Sequence, residues 1–238
     1  MLLFYIRHGD PIYDPDSLTS LGERQAEALA KRLALYGVDQ IYASTSERAM
    51  LTAKPTAEVL KKEIIPLDWC REHHTFREMS VPKEDGKRTW CYCVPEVKEQ
   101  FHHPEVRALG MNWYTHPFFA DTKFGENVER VGRETDQLME SLGYVHDAQR
   151  CGYVAERPND QRIALFAHHG FGMSFLSLLL DIPYPIFCPR FDISHSGMTV
   201  IEFPNREGLV YPSVLQLSND SHLYREGLPT NYSNRLRF

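Results

Sequence analysis

An alternation constrains this chain more than any other feature: short apolar runs are followed by longer stretches whose apolar residues recur at helical spacing. Residues 2–6 (LLFYI), 39–43 (DQIYA), 64–67 and 162–167 (RIALFA) read as strands. After the first of them, Ala26, Leu29, Ala30 and Leu33 line one helical face, with Ser20 and Glu23 at capping-box spacing in front and Gly37 as the stop. A helix from about 46 puts Ala49, Ala53, Thr56 and Leu60 on one face, and Pro55 predicts a kink or restart because proline lacks the donor a helix interior needs. A helix over 126–142 carries Val128, Val131, Thr135, Leu138 and Leu142 as its stripe. The stretch after 162–167 turns Phe171, Phe175, Leu178 and Leu179 inward, and 198–203 and 209–217 read as late strands.

Apolar strands alternating with helices predict an α/β fold, a three-layer α/β/α sandwich whose mostly parallel central sheet is covered on both faces. Residues 73–124 break the rhythm, with Trp90, Tyr92, Trp113, Tyr114, Phe118 and Phe119 among prolines and histidines, and read as a cap inserted over one sheet edge. A length of 238 residues suits a single domain, 1–238, carrying that insertion. The last twenty residues are polar and are expected to wrap the surface.

The net charge of −6 argues against nucleic acid or an anionic membrane as partner, yet leaves room for a small anionic substrate, since local arginines outweigh global charge. No apolar run has the length of a membrane span, and residues 2–6 lack the charged start of a signal peptide, so a cytoplasmic location is expected. The five cysteines are an odd number for a disulfide framework and are expected to be reduced.

In α/β sheets ligands bind beyond the carboxyl ends of strands, so strand exits are where chemistry concentrates. Three exits here are unusual. Residues 2–6 run into Arg7-His8-Gly9; 39–43 run into STSERAMLTA, with Arg48 about a turn into the next helix; 162–167 run into His168-His169-Gly170. Two arginines and an imidazole at one crevice form a cationic cradle with a nucleophile, suited to a phosphoryl group whose oxygens match arginine forks. Consecutive residues at a strand exit point apart, so only one of His168 and His169 is expected to face the site.

The segments YIRHGD, LTSLGERQA, YASTSERAMLTA and FAHHGFG, in this order and spacing, resemble the histidine phosphatase superfamily, also called the phosphoglycerate mutase-like fold. The similarity covers residues 1–72 and about 124–203, and not the insertion. It implies a phosphohistidine mechanism. His8 would attack phosphorus in line, Arg7, Arg48 and His168 would hold the phosphoryl oxygens, and a carboxylic acid would protonate the leaving oxygen and later activate water. Neighbouring arginines would lower the pKa of His8 and keep it neutral, and a backbone carbonyl would fix its other N–H. In the family the catalytic histidine leaves the strand directly and a small residue follows. His168 matches that place, and His169 departs from the pattern where glycine is common. The family's acid follows the third strand, which points to Glu72 in PLDWCREHH. Glu126 in FGENVERV is the second candidate, with a helix N-terminal complement as its other reading. Glu78 and Asp10 are weaker ones.

The resulting expectation is a hydrolase that cleaves a small phosphate monoester without metal or other cofactor. A cofactor-dependent phosphoglycerate mutase is the alternative enzyme. RHGDPIYDPDS and CREHHTF depart from the asparagine after RHG and the Asn-Glu-Arg-His-Tyr-Gly stretch that such mutases carry. A non-catalytic phospho-ligand or protein-binding module on the same fold is the third reading, and it has no need of the nucleophile His8. Cys91, Cys93 and the histidines at 73, 74, 102 and 103 lack regular zinc-ligand spacing, so no metal site is expected. The substrate and the oligomeric state, a homo-oligomer included, stay open.

Overall fold

The computed structural model describes residues 1–230. Its centre is a six-stranded sheet. In chain order the strands are β1 (Leu2–Arg7), β2 (Gln40–Ser44), β3 (Ile64–Leu67), β4 (Arg162–Ala167), β5 (Met198–Glu202) and β6 (Ser213–Asn219). Their spatial order is β6-β5-β1-β4-β2-β3. β1, β4, β2 and β3 are mutually parallel, and β5 is antiparallel to both β1 and β6, so five of six strands share one direction.

Alternation along β1 explains the layers. Phe4 and Ile6 point to one face, into a cluster with Leu29, Leu33, Ala53 and Ala57 of helices α1 (Ser20–Tyr36) and α2 (Glu47–Leu60). Leu3 and Tyr5 point to the other, against helices α4 (Phe124–Ser141) and α5 (His169–Leu179) through Val131, Phe171 and Phe175. Helix α3 (Glu72–Met79) opens the inserted region. A hairpin of Ser80–Pro82 with Arg88–Trp90 and short helical turns up to Phe119 complete it, and Phe101, Trp113 and Phe119 pack together as its own aromatic core.

Several local expectations are corrected. The cap of α1 is Thr19, whose hydroxyl accepts from the Gly22 N–H, rather than Ser20. Pro55 neither breaks nor restarts α2, because burial of Ala49, Ala53 and Ala57 against the sheet offsets one lost hydrogen bond. Residues 209–217 are not one strand. Gly208–Val210 joins a separate small sheet with Gly152–Ala155 and Tyr144–Asp147, and only Ser213–Asn219 extends the main sheet. Of the last twenty residues, Ser221–Arg225 form a helix whose Leu223 is buried by α1 at Ala28, and 231–238 lie outside the described residues. No helix among the described residues is long and apolar enough to cross a membrane.

His146 in the small sheet bridges Asp136 of α4 at 3.0 Å and Asp181, just past α5, at 3.1 Å. Hydrogen bonds that its ring donates to the two carboxylates raise its pKa to about 10. A pKa raised on folding contributes stability that is complete below the unfolded value and is lost as pH rises through the folded one. His146→Phe is therefore expected to cost about 2 kcal/mol in urea unfolding at pH 6. The gap from wild type should narrow as the pH rises from the ordinary histidine value of 6.5 to about 10. An unchanged gap at both pH values would show that the imidazolium contributes nothing beyond its packing.

Candidate active site

Register assembles the centre. Arg7 of β1 lies opposite Ala167 of β4, so the next residues, His8 and His168, leave the sheet side by side with rings 5.2 Å apart. β4 also pairs with β2, which ends at Ser44, and a Ser44 Oγ–His168 Nε2 hydrogen bond of 2.8 Å ties the three strand ends together. Gly9 is required because the chain turns tightly here: a Cβ on it would stand 2.7 Å from the Gly22 carbonyl oxygen, and a Cβ on Gly22 would stand 2.2 Å from that of Asp10. The Gly9 N–H donates to Thr52 Oγ1 at 3.0 Å, and the Thr52 hydroxyl donates to the Arg48 carbonyl at 2.7 Å. The turn after β1 is thereby fastened to the first turns of α2.

His8 is 3% exposed, and its Nδ1 lies 2.7 Å from the Gly9 carbonyl oxygen. A carbonyl only accepts, so Nδ1 carries the proton and Nε2 keeps its lone pair. Burial, followed by His168 and Arg7, holds its pKa well below the ordinary histidine value, so the ring stays neutral. Burial, then Arg48 and Arg7, does the same for His168. With the Ser44 hydroxyl as the donor to His168 Nε2, Nδ1 is the protonated nitrogen and a hydrogen-bond donor.

The arginines are held at their outer nitrogens. Arg7 donates from Nη1 to the Ile193 carbonyl at 2.6 Å and from Nη2 to His195 Nε2 at 2.6 Å. Arg48 Nη1 bonds Asp16 Oδ1 at 2.7 Å, and its guanidinium lies 5.5 Å from the Tyr13 ring centre. Asp16 Oδ2 also accepts the Glu47 N–H at 3.0 Å, closing the start of α2. Three buried nitrogens of this cluster, Arg7 Nε, Arg48 Nε and His168 Nδ1, have no hydrogen-bond partner in the protein. Each such group costs about 1–3 kcal/mol unless a ligand satisfies it. Three donors gathered around a neutral imidazole fit a tetrahedral oxyanion.

Glu72 opens α3, and its two oxygens accept the Gly170 N–H at 2.9 Å and the Phe171 N–H at 2.8 Å at the start of α5. Those bonds favour the carboxylate, but burial outweighs them and raises its pKa above the ordinary glutamate value. Glu72 lines one cavity of about 530 Å³ together with Arg7, His8 and Arg48. The rival carboxylates lie elsewhere. Glu126 is exposed and paired with Lys123 at 3.3 Å, outside the cavity lining. Glu78 is buried in an ion pair with Arg130 at 2.7 Å, and Asp10 accepts the Thr19 hydroxyl at 2.7 Å.

Of the two adjacent histidines, His168 is buried beside His8 with the rings 5.2 Å apart, and His169 is the one that lines the cavity, bonded to Tyr92 Oη at 3.2 Å and Asp192 at 2.7 Å. Strand alternation stops at Ala167 because His168 caps α5 and His169 is its first residue.

His195 was not legible in the sequence. It stands in the loop before β5 with its ring 5.6 Å from that of His8. Burial and then Arg7 lower its pKa to about 3, so it is a neutral acceptor for the guanidinium. Only an isolated histidine between serines, with no strand exit or motif, marks it in the chain. Tyr13 and Asp16 were equally hidden, in a small hairpin of Pro11–Tyr13 with Asp16–Leu18. Among the described residues, no three His, Cys, Asp or Glu side chains form a group able to hold a metal ion. Cys91 is packed against Tyr184 Oη at 3.8 Å, with burial pushing its thiol to about 12, whereas Cys93 faces the cavity.

The family model for the histidine phosphatase superfamily (branch 1) matches residues 3–211. A Hydrogenobacter thermophilus protein provisionally named phosphoserine phosphatase 2 is 25% identical over 153 residues, 60% of this chain and 68% of the relative. Several solved structures share the fold, two of them as follows. An Entamoeba histolytica phosphoserine phosphatase mutant in complex with phosphoserine has a TM-score of 0.58 at 18% identity, covering 93% of this chain and 98% of that one. The Shigella flexneri alpha-ribazole phosphatase has a TM-score of 0.56 at 19% identity, covering 92% and 97%.

Proposed function

The chain belongs to the histidine phosphatase superfamily, and from that premise we propose that it hydrolyses phosphate monoesters through a phosphohistidine on His8. The observation that carries this reading is the set of unpartnered buried donors on Arg7, Arg48 and His168 around a neutral His8 whose Nε2 is free.

In the first step the His8 Nε2 lone pair forms a bond to phosphorus as the bond to the leaving oxygen breaks, and Glu72 gives that oxygen its proton. Arg7, Arg48 and His168 donate to the three oxygens of the transferring group, where charge is spread in the transition state. In the second step Glu72, now a carboxylate, takes a proton from water. The water oxygen bonds to phosphorus, the P–N bond breaks, and inorganic phosphate leaves. The raised pKa of Glu72 suits the acid role, because the carboxyl must begin protonated. Two guanidinium groups supply the positive charge that a divalent ion supplies in other phosphatases.

The test is hydrolysis of p-nitrophenyl phosphate in excess chelator, with a parallel acid-free quench and mass spectrometry. Turnover unaffected by the chelator and a phosphoryl adduct on His8, acid-labile and base-stable, are expected. A rate that collapses in chelator and returns with zinc, or an adduct on a serine, would overturn the mechanism. Transfer to 3-phosphoglycerate from a bisphosphate would instead favour the mutase reading.

A further inference from the structure

Beyond the phosphoryl cradle the cavity is walled by Phe76, Trp90 and Tyr92, with His73, Cys93 and His169 beside them, and the placement of the rings relative to Glu72 says what kind of leaving group fits. Glu72 must lie beside the leaving oxygen in order to protonate it. It is held by the Gly170 and Phe171 N–H groups, and the Trp90 ring rests on that same turn. A Cβ on Gly170 would stand 2.2 Å from Trp90, so glycine here leaves room for the outer edge of the indole against the start of α5. Tyr92 stacks on Trp90 with ring centres 5.7 Å apart and 11° between planes, and Phe76 meets it edge-on at 5.1 Å. The Tyr92 hydroxyl is fixed by His169, which Asp192 anchors in turn at 2.7 Å. The leaving group therefore departs along a wall of fixed rings supplied by the inserted hairpin and its flanks.

Charge selects as well. Arg7, Arg48 and Glu72 are occupied by the phosphoryl chemistry. No lysine, no further arginine and no further carboxylate lines the cavity among the described residues. A phosphorylated amino acid or hydroxy acid brings an ammonium or carboxylate that would meet only the imidazoles of His73 and His169, the latter already bonded to Asp192, in place of the water it loses, which is costly. A planar uncharged group meets rings that favour offset stacking.

Resting on the phosphatase reading above, we propose that the substrate is a phosphate monoester whose alcohol carries an uncharged planar ring, an aryl group or a nucleobase, held by Trp90, Tyr92 and Phe76. Trp90 and Tyr92 are then specificity-determining residues contributed by the insertion.

The test uses pairs of substrates with near-equal leaving alcohols, so that ring binding is separated from leaving-group reactivity. Adenosine 5′-monophosphate is compared with ribose 5-phosphate, and 2-naphthylmethyl phosphate with ethyl phosphate; phosphoserine and 3-phosphoglycerate are the charged controls. In at least one pair kcat/KM should be about tenfold to a hundredfold higher for the ring-bearing member, and the pair that shows it separates nucleobase from aryl. Trp90→Ala, with Phe76→Ala as the second variant should the first fail to fold, should lose roughly tenfold more on the ring-bearing member than on its partner. A preference for phosphoserine or 3-phosphoglycerate, or equal losses on both members of each pair, overturns the ring assignment while leaving the phosphatase reading standing. No hydrolysis of any ester together with no adduct on His8 overturns both.

Discussion

His8→Ala is expected to lower turnover of any phosphate monoester by roughly 10⁴- to 10⁶-fold and to abolish the phosphoryl adduct. The size follows from covalent catalysis: without Nε2 the reaction must proceed by direct attack of water, with only the donors of the cradle left to help. The substitution removes a buried ring that accounts for one hydrogen bond to the Gly9 carbonyl, so the fold should survive. The backbone N–H of residue 8, which donates to the Ala167 carbonyl at 2.9 Å, is unaffected by it. Circular dichroism and a melting curve check the fold, and single-turnover kinetics check the chemistry. A folded His8→Ala protein that keeps more than about a hundredth of the wild-type rate would mean that the nucleophile is elsewhere.

Glu72→Gln is expected to lower kcat/KM for alkyl phosphates by about 10²- to 10⁴-fold and for p-nitrophenyl phosphate much less, because kcat/KM reports formation of the phosphohistidine and a good leaving group needs little proton donation there. The pH profile carries the sign. A general acid must be protonated in the free enzyme, so wild-type kcat/KM should fall as pH rises through the raised pKa of Glu72. His8, with its pKa held well below the ordinary value, should add no acid limb near neutrality. In Glu72→Gln the alkaline limb should vanish. Glu126→Gln should resemble wild type on both substrate classes, since Glu126 is paired with Lys123 at the surface. If the leaving-group dependence appears in Glu126→Gln and not in Glu72→Gln, the acid has been assigned to the wrong loop.

In the mutase alternative a bisphosphate and a carboxylated sugar acid would both bring negative charge against Trp90, Tyr92 and Phe76, where the lining among the described residues adds the imidazoles of His73 and His169 but no lysine and no arginine beyond Arg7 and Arg48. The binding-module reading would leave unused the lone pair that the Gly9 carbonyl frees on His8.

What could be read from the sequence by itself is what depends on neighbours along the chain. Strand period, helix stripes and the residue types at strand exits are local, so the layered sheet and the positions of Arg7, His8, Arg48 and His168 follow from runs of about ten residues. Even there, tertiary burial overrode local rules, carrying α2 through Pro55, and it is His169 rather than His168 that lines the cavity. The tertiary structure alone decided which distant side chains complete the site. His195 reaches Arg7 across 188 positions, Asp16 reaches Arg48 across 32, and the Gly170 amide reaches Glu72 across 98. It also brought Trp90 onto Gly170, which no periodicity encodes, because that contact exists only when the insertion folds back over the sheet. Local pattern sets how each segment buries its own apolar face; the polar partners of a buried charge are chosen by whichever segments the packed core happens to bring within hydrogen-bond reach, and that is a property of the whole chain.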